Sequence, residues 1–189
     1  MILLDPELGP EVDAYPALHA AEGKSRALRL PSNRVLARFL AEAKAAVRLK
    51  GQATVLLTSD PAIRRLNRQF RGKNQVTDVL SFPAEELIRS RENIAGDLAI
   101  SVETARRQAA EQDHTLAMEI KILILHGLLH LAGYDHDTDE GQMGRRERLL
   151  RTRFGLPQGL IERAGAGTAG SEKRRRSVMK PSSARNKKP

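Results

Sequence analysis

Apolar residues recur at helical spacing in several separate stretches of the chain. After Ser32, read as a cap, the positions Val35, Leu36, Phe39, Leu40, Ala43 and Val47 fall on one side of a helix that Gly51 ends. Ile63, Leu66 and Phe70 repeat the pattern between Asp60-Pro61, read as a cap followed by a first-turn proline, and Gly72. A charged helix is expected from Ser101 to about Gln112. Another, around 139–153, carries Met143, Leu149, Leu150 and Phe154 and stops at Gly155 and Pro157. Between 115 and 132 the pattern changes. From Ile122 to Ala132 all residues but two are apolar or glycine, the mark of a helix buried nearly all round. Short runs at 52–58, 77–82 and 97–101 read as strands, and Ile2, Leu3 and Leu4 as an edge strand. The polar segment after Pro83 reads as a connection with room for a short helical turn. Strands alternating with helices predict an α/β or α+β fold, with a small mixed sheet packed by about five helices.

One domain is expected over 1–164. From about 165 apolar periodicity vanishes, and 165–189 reads as a disordered basic tail. Net charge sharpens this division. Residues 171–189 hold eight Lys/Arg against the single Glu172, so seven of the chain's nine net positive charges lie there. The rest of the chain is nearly balanced. With two Tyr, four Phe and no Trp, a nucleic-acid binder built on stacked aromatic platforms is disfavoured. The absence of cysteine excludes disulfides, a thiolate metal site and a cysteine nucleophile. M-I-L-L-D-P-E has no basic flank of a signal peptide, and the longest apolar run falls short of the roughly 20 residues a bilayer span needs. A cytoplasmic protein with no membrane partner is expected.

The two polar residues in the apolar run are His126 and His130, four apart and so on one face of the helix. Left without partners, each would cost about 1–3 kcal/mol. A bound cation removes that cost by taking the imidazole nitrogens as ligands. Gly133 stands where a left-handed residue reverses the chain after a helix, and His136 follows three residues later. The pattern H-x-x-x-H-x-x-G-x-x-H thus offers three nitrogen ligands with a fourth position open. That predicts one catalytic zinc ion per chain on a central buried helix, with nickel or copper as competitors in vitro. Zinc peptidases with this ligand spacing carry Glu directly after the first histidine. Here that residue is Gly127, which disfavours a peptidase and is read as leaving space beside the metal for a bulky substrate such as a phosphodiester. His19 and His114 lack such company and read as surface or capping residues.

Three segments together resemble the YbeY family, the bacterial single-strand-specific endoribonucleases known as rRNA maturation factors. They are F-R-G-K-N-Q-V-T-D-V-L-S-F-P (70–83), G-D-L-A-I-S (96–101) and H-G-L-L-H-L-A-G-Y-D-H-D (126–137). The likeness runs from about Val55 to Phe154. Asn74 and Val76 depart from it, standing where family members often have Asp and Pro. The resemblance implies a zinc-dependent endoribonuclease acting in small-subunit (16S) rRNA 3′-end maturation and ribosome quality control. Its implied partners are single-stranded RNA, small-subunit rRNA and ribosomes. It implies His126, His130 and His136 as metal ligands and Arg71 as the family's important arginine.

Taken alone, Arg71 is a solvated cation suited to a helix C-terminus. The resemblance makes it a phosphate and transition-state clamp, with Lys73 adding a point charge. The general base stays open among Asp135, Asp137 and Asp78, or the RNA 2′-OH attacks instead. Asp135 and Asp137 equally suit the role of acceptors that orient the ligands. Lys173, Arg174, Arg175 and Arg176 are expected to add RNA affinity through counterion release. Two other readings remain: a metallohydrolase on another substrate, such as a divergent zinc peptidase, and a non-catalytic, zinc-containing ribosome assembly factor.

Overall fold

Alternating burial turns four short segments into one sheet. In β2 (Gln52–Thr58), Ala53, Val55 and Leu57 are buried and the residues between them less so, as the run of β-branched and aliphatic side chains predicts. The computed structural model describes residues 1–8, 29–135 and 139–157. β1 (Ile2–Leu4) is the expected edge strand and pairs in parallel with β2, Ile2 opposite Val55. β4 (Ile94–Ser101) lies parallel to β2 on its other side, with Val55 opposite Leu98. β3 (Val79–Pro83) closes the sheet antiparallel to β4, Leu80 opposite Ala99, giving the order β1-β2-β4-β3.

Two strand boundaries differ from expectation. β3 starts at Val79 because the Asp78 carboxylate accepts from the Val79 N–H at 2.8 Å and from the Thr77 hydroxyl at 3.2 Å, which ties the preceding residues into a turn. β4 begins three residues early because Gly96, at φ +139°, lets the chain stay in the ladder under close crowding. A Cβ there would lie 2.3 Å from the Phe82 carbonyl oxygen and 2.9 Å from Leu131 Cδ2.

Six helices are present among the described residues: α1 (Asn33–Val47), α2 (Asp60–Arg71), α3 (Glu86–Glu92), α4 (Val102–Glu111), α5 (Leu116–Leu131) and α6 (Gln142–Phe154). The one beyond expectation, α3, buries no residue, so it has no apolar face for a periodic pattern to reveal. The sheet has two unequal faces. Val55, Leu57, Leu98 and Ile100 enter the main core with α1, α4, α5 and α6. On the opposite face Leu80 and Ala99 meet Ile63 of α2 in a small second core. No single helix among the described residues is long and apolar enough to cross a membrane.

The cap of α2 is Ser59, not Asp60. The Ser59 side chain accepts from the Ala62 N–H at 3.3 Å, and Asp60 is the first helical residue. The Asp60 carboxylate instead gathers α4. It accepts from the Ser101 hydroxyl, from the Thr104 hydroxyl at 2.7 Å and from Arg107 Nη1 at 2.8 Å, while its own N–H donates to Glu103 Oε2 at 2.8 Å. Burial raises the Asp60 pKa. The hydrogen bonds from Ser101, Thr104 and Arg107, with the Arg107 charge, outweigh it and hold the carboxyl below its ordinary value. Ser101 caps α4 as expected, accepting from the Thr104 N–H at 3.2 Å. The boundary at 164 and the basic residues Lys173, Arg174, Arg175 and Arg176 lie outside the described residues.

Candidate metal centre

Helix α5 buries twelve of its sixteen residues. Both ends are fixed. Thr115 caps the start, accepting from the Met118 N–H at 3.2 Å. At the other end Gly133, at φ +90°, donates to the His130 carbonyl at 3.0 Å and Tyr134 donates to the Leu129 carbonyl at 3.1 Å. These two bonds form a Schellman closure, with glycine where the sequence places it. The histidines therefore sit in the last turns of a rigid, buried helix.

His126 is 8% exposed and His130 half-buried. Their rings meet edge to face, with centroids 4.8 Å apart and planes at 75°. The two Nε2 atoms are 3.2 Å apart. Two nitrogens each about 2.0–2.1 Å from one tetrahedral zinc ion stand roughly 3.3–3.4 Å from each other, so this pair fits one edge of such a site. Among the described residues no group of three His, Asp or Glu side chains converges to hold a metal ion. His136, the expected third ligand, and Asp137 lie outside the described residues. Up to Asp135 the chain is set by the α5 closure. The Asp139 N–H donates to the Asp135 carbonyl at 2.9 Å. The Asp139 carboxylate then accepts from Gly141 and Met143 N–H groups, each at 2.7 Å, and so fixes the start of α6.

Sequence reasoning missed the neighbour on the far side of His126. Nδ1 of His126 is 3.2 Å from Glu147 Oε2, and Glu147, on α6, is 1% exposed. Arg151 lies one turn further on, with Nη1 4.0 Å from Glu147 Oε1 and its side chain 3% exposed. A signal existed: Glu147 falls at helical spacing between Met143 and Leu150, both buried, and a carboxylate on an apolar stripe asks for a partner. Leu149, read as part of that stripe, is 58% exposed.

Gly127 does not leave space beside the histidines. It points at the sheet, where an added Cβ would meet Leu98 Cδ2 at 2.7 Å and Cδ1 at 2.9 Å. Its small size lets α5 lie down on β4. A glutamate there would have nowhere to go, which gives the absence of the peptidase base a packing reason. His114 is not a surface residue either. Nε2 lies 2.5 Å from Glu119 Oε2, with the two side chains 6% and 0% exposed. His19 lies outside the described residues.

The other candidates are placed less centrally. Arg71 is exposed as the last residue of α2, and Lys73 is exposed in the loop that follows. Despite Asn74 and Val76, side chains hold that loop: Asn74 Oδ1 accepts from Arg64 Nε at 2.9 Å and the buried Asn67 donates to the Gln75 carbonyl at 2.9 Å. The Asp78 carboxylate, besides starting β3, accepts from Gln108 Nε2 at 3.0 Å and so ties β3 to α4. Asp135 is half-buried, just beyond the α5 closure.

The family model described as Endoribonuclease YbeY matches residues 20–155. A protein of that name from Koribacter versatilis is 46% identical over 145 residues, covering 77% of this chain and 92% of that one. Its namesake from Solibacter usitatus is 54% identical over 108 residues, covering 57% and 69%. A protein of Thermotoga maritima solved in solution aligns with a TM-score of 0.48 at 26% identity, over 78% of this chain and 96% of that one. With most of its length matched by the family and a relative almost wholly covered, this chain belongs to the Endoribonuclease YbeY family.

Proposed function

We propose that this protein is a cytoplasmic, single-strand-specific, zinc-dependent endoribonuclease acting in small-subunit (16S) rRNA 3′-end maturation and ribosome quality control. The observation that carries the reading is the pair of Nε2 atoms 3.2 Å apart on a buried helix, in a chain of this family. His126 and His130, with His136 from the sequence pattern, would hold the ion. When bound, zinc supplies Lewis-acid polarisation of a phosphodiester oxygen and a lowered pKa for water.

The chain's own residues do the rest. The Arg71 guanidinium grips a non-bridging phosphate pair and stabilises the charge that builds on it, and Lys73 adds a second cation. The half-buried His130 marks the side from which RNA approaches, while the buried body of α5 keeps water from behind the site. Asp78 is committed to structural donors, so Asp135 and Asp137 are the better candidates for moving a proton. Product ends separate attack by water from attack by the 2′-OH, because a 2′,3′-cyclic phosphate arises only from the latter.

The test is metal analysis with chelator-reversible cleavage on one highly purified preparation. Stoichiometric zinc and cleavage of single-stranded RNA that stops with chelator and returns with zinc are expected. Zinc-loaded protein that binds ribosomes but leaves RNA intact would make it an assembly factor. Cleavage of protein but not RNA would make it a divergent peptidase.

A further inference from the structure

We propose that Glu147 is the positioning residue of this metal centre, fixing the tautomer and direction of His126, and that Arg151 holds it in place. The inference rests on the reading that His126 and His130 grip a cation. A neutral imidazole carries one N–H and one lone pair. A carboxylate oxygen 3.2 Å from Nδ1 accepts only, so the proton belongs on Nδ1 and the lone pair on Nε2. Nε2 is the atom facing His130 Nε2. The carboxylate thus selects the form of His126 that can be a ligand and stops the ring from turning away.

Energetics point the same way. Glu147 and Arg151 occupy the buried face of α6 beside Met143 and Leu150. A buried Glu–Arg pair is no better for stability than well-packed apolar residues of similar volume, and often worse. Packing alone therefore gives no reason for a carboxylate here, whereas contact with His126 does. The spacing of four lets one helix present both, with Arg151 Nη1 4.0 Å from Glu147 Oε1 while Glu147 Oε2 meets the imidazole.

The test compares the full-length protein with Glu147→Gln, and with the double variant Glu147→Leu, Arg151→Met, which leaves no buried cation uncompensated. Zinc affinity, read by competition with a chromophoric chelator, should fall about 10–100-fold in both. Melting of the double variant in excess chelator should be unchanged or raised. Nitrogen NMR of the zinc-free unsubstituted protein should show His126 protonated on Nδ1, a preference lost in the variants. Zinc binding as tight as in the unsubstituted protein, or an Nε2-protonated His126 before any substitution, would overturn the inference. If neither variant folds, the tautomer of the unsubstituted protein decides alone. Failure of the unsubstituted protein to bind zinc would instead sink the metal reading itself, as would undiminished binding by His130→Ala.

Discussion

Leu98 of β4 fills the space that any side chain at Gly127 of α5 would need, its nearest methyl 2.7 Å from where a Cβ would stand. In an exposed helix, Gly→Ala is favourable by about 1 kcal/mol. Overpacking a tight core costs about 1–3 kcal/mol. Gly127→Ala should therefore destabilise by roughly 1 kcal/mol, the reverse of the exposed-helix sign. Chemical denaturation checks it. Adding Leu98→Ala should give a double variant more stable than the two single losses sum to, since the smaller residue makes room. A stabilised Gly127→Ala would show that Leu98 yields freely.

What the sequence made legible follows from how local each signal is. β2 declares itself through Ala53, Val55 and Leu57, and α5 through an apolar run too long for a strand, so both stand where expected. Gly133 is legible because only a turn after a helix needs it there. Other features depend on contacts that no window contains. Ser59 and Asp60 can both cap a helix, and only the extended backbone of Ser59, with Ser101 and Arg107 waiting for Asp60, decides between them. Gly127 reads as open space until Leu98 is placed against it. Glu147 meets His126 across 21 residues of chain.

The Asp60 cluster predicts a pH dependence. Its folded carboxyl titrates below the ordinary 3.8. Above 3.8 both folded and unfolded chains carry the ionised group and the full stabilisation is present. As pH falls further, the unfolded chain takes up its proton first, and the stabilisation is lost until the folded carboxyl protonates too. Asp60→Asn should thus be less stable than the unsubstituted protein at neutral pH, with the gap closing as pH drops below 3.8. Urea denaturation across that range reads it, and a gap independent of pH would mean that shape and not charge holds α2 to α4.

Metal binding and stability are linked if His126 and His130 share an ion. Free zinc at about 100 times its dissociation constant stabilises the folded state by roughly 2.7 kcal/mol. Chelator should lower the melting temperature of the unsubstituted protein accordingly. His130→Ala should melt at one temperature with or without it. An equal response of the two proteins to chelator would remove His130 from the ligand set.

The basic tail gives a prediction from charge alone. Eight Lys/Arg lie between 171 and 189. Each cation seated on a single-strand phosphate adds about 0.7 to the slope of log affinity against log salt. Deleting 171–189 should flatten that slope by up to about 6 while zinc content stays the same. An unchanged slope would assign the tail to solubility instead.

Arg71 separates binding chemistry from metal chemistry. It ends α2, but the helix is closed by the next residue: Gly72, at φ +68°, donates to the Arg68 carbonyl at 3.1 Å. Replacing the Arg71 side chain leaves that closure intact, and the lost favourable charge at a helix C-terminus is worth about 0.3–1 kcal/mol. The fold should therefore tolerate Arg71→Glu. Losing one preorganised group that stabilises transition-state charge commonly costs about 10²–10³ in rate, and reversing its sign should cost more. Arg71→Glu should reduce cleavage of single-stranded RNA beyond that range with zinc content and melting nearly unchanged, while Arg71→Lys keeps part of the activity through its point charge. Zinc lost together with activity would place Arg71 in support of the metal site, and full activity in Arg71→Glu would leave it the exposed helix-end cation that composition alone describes.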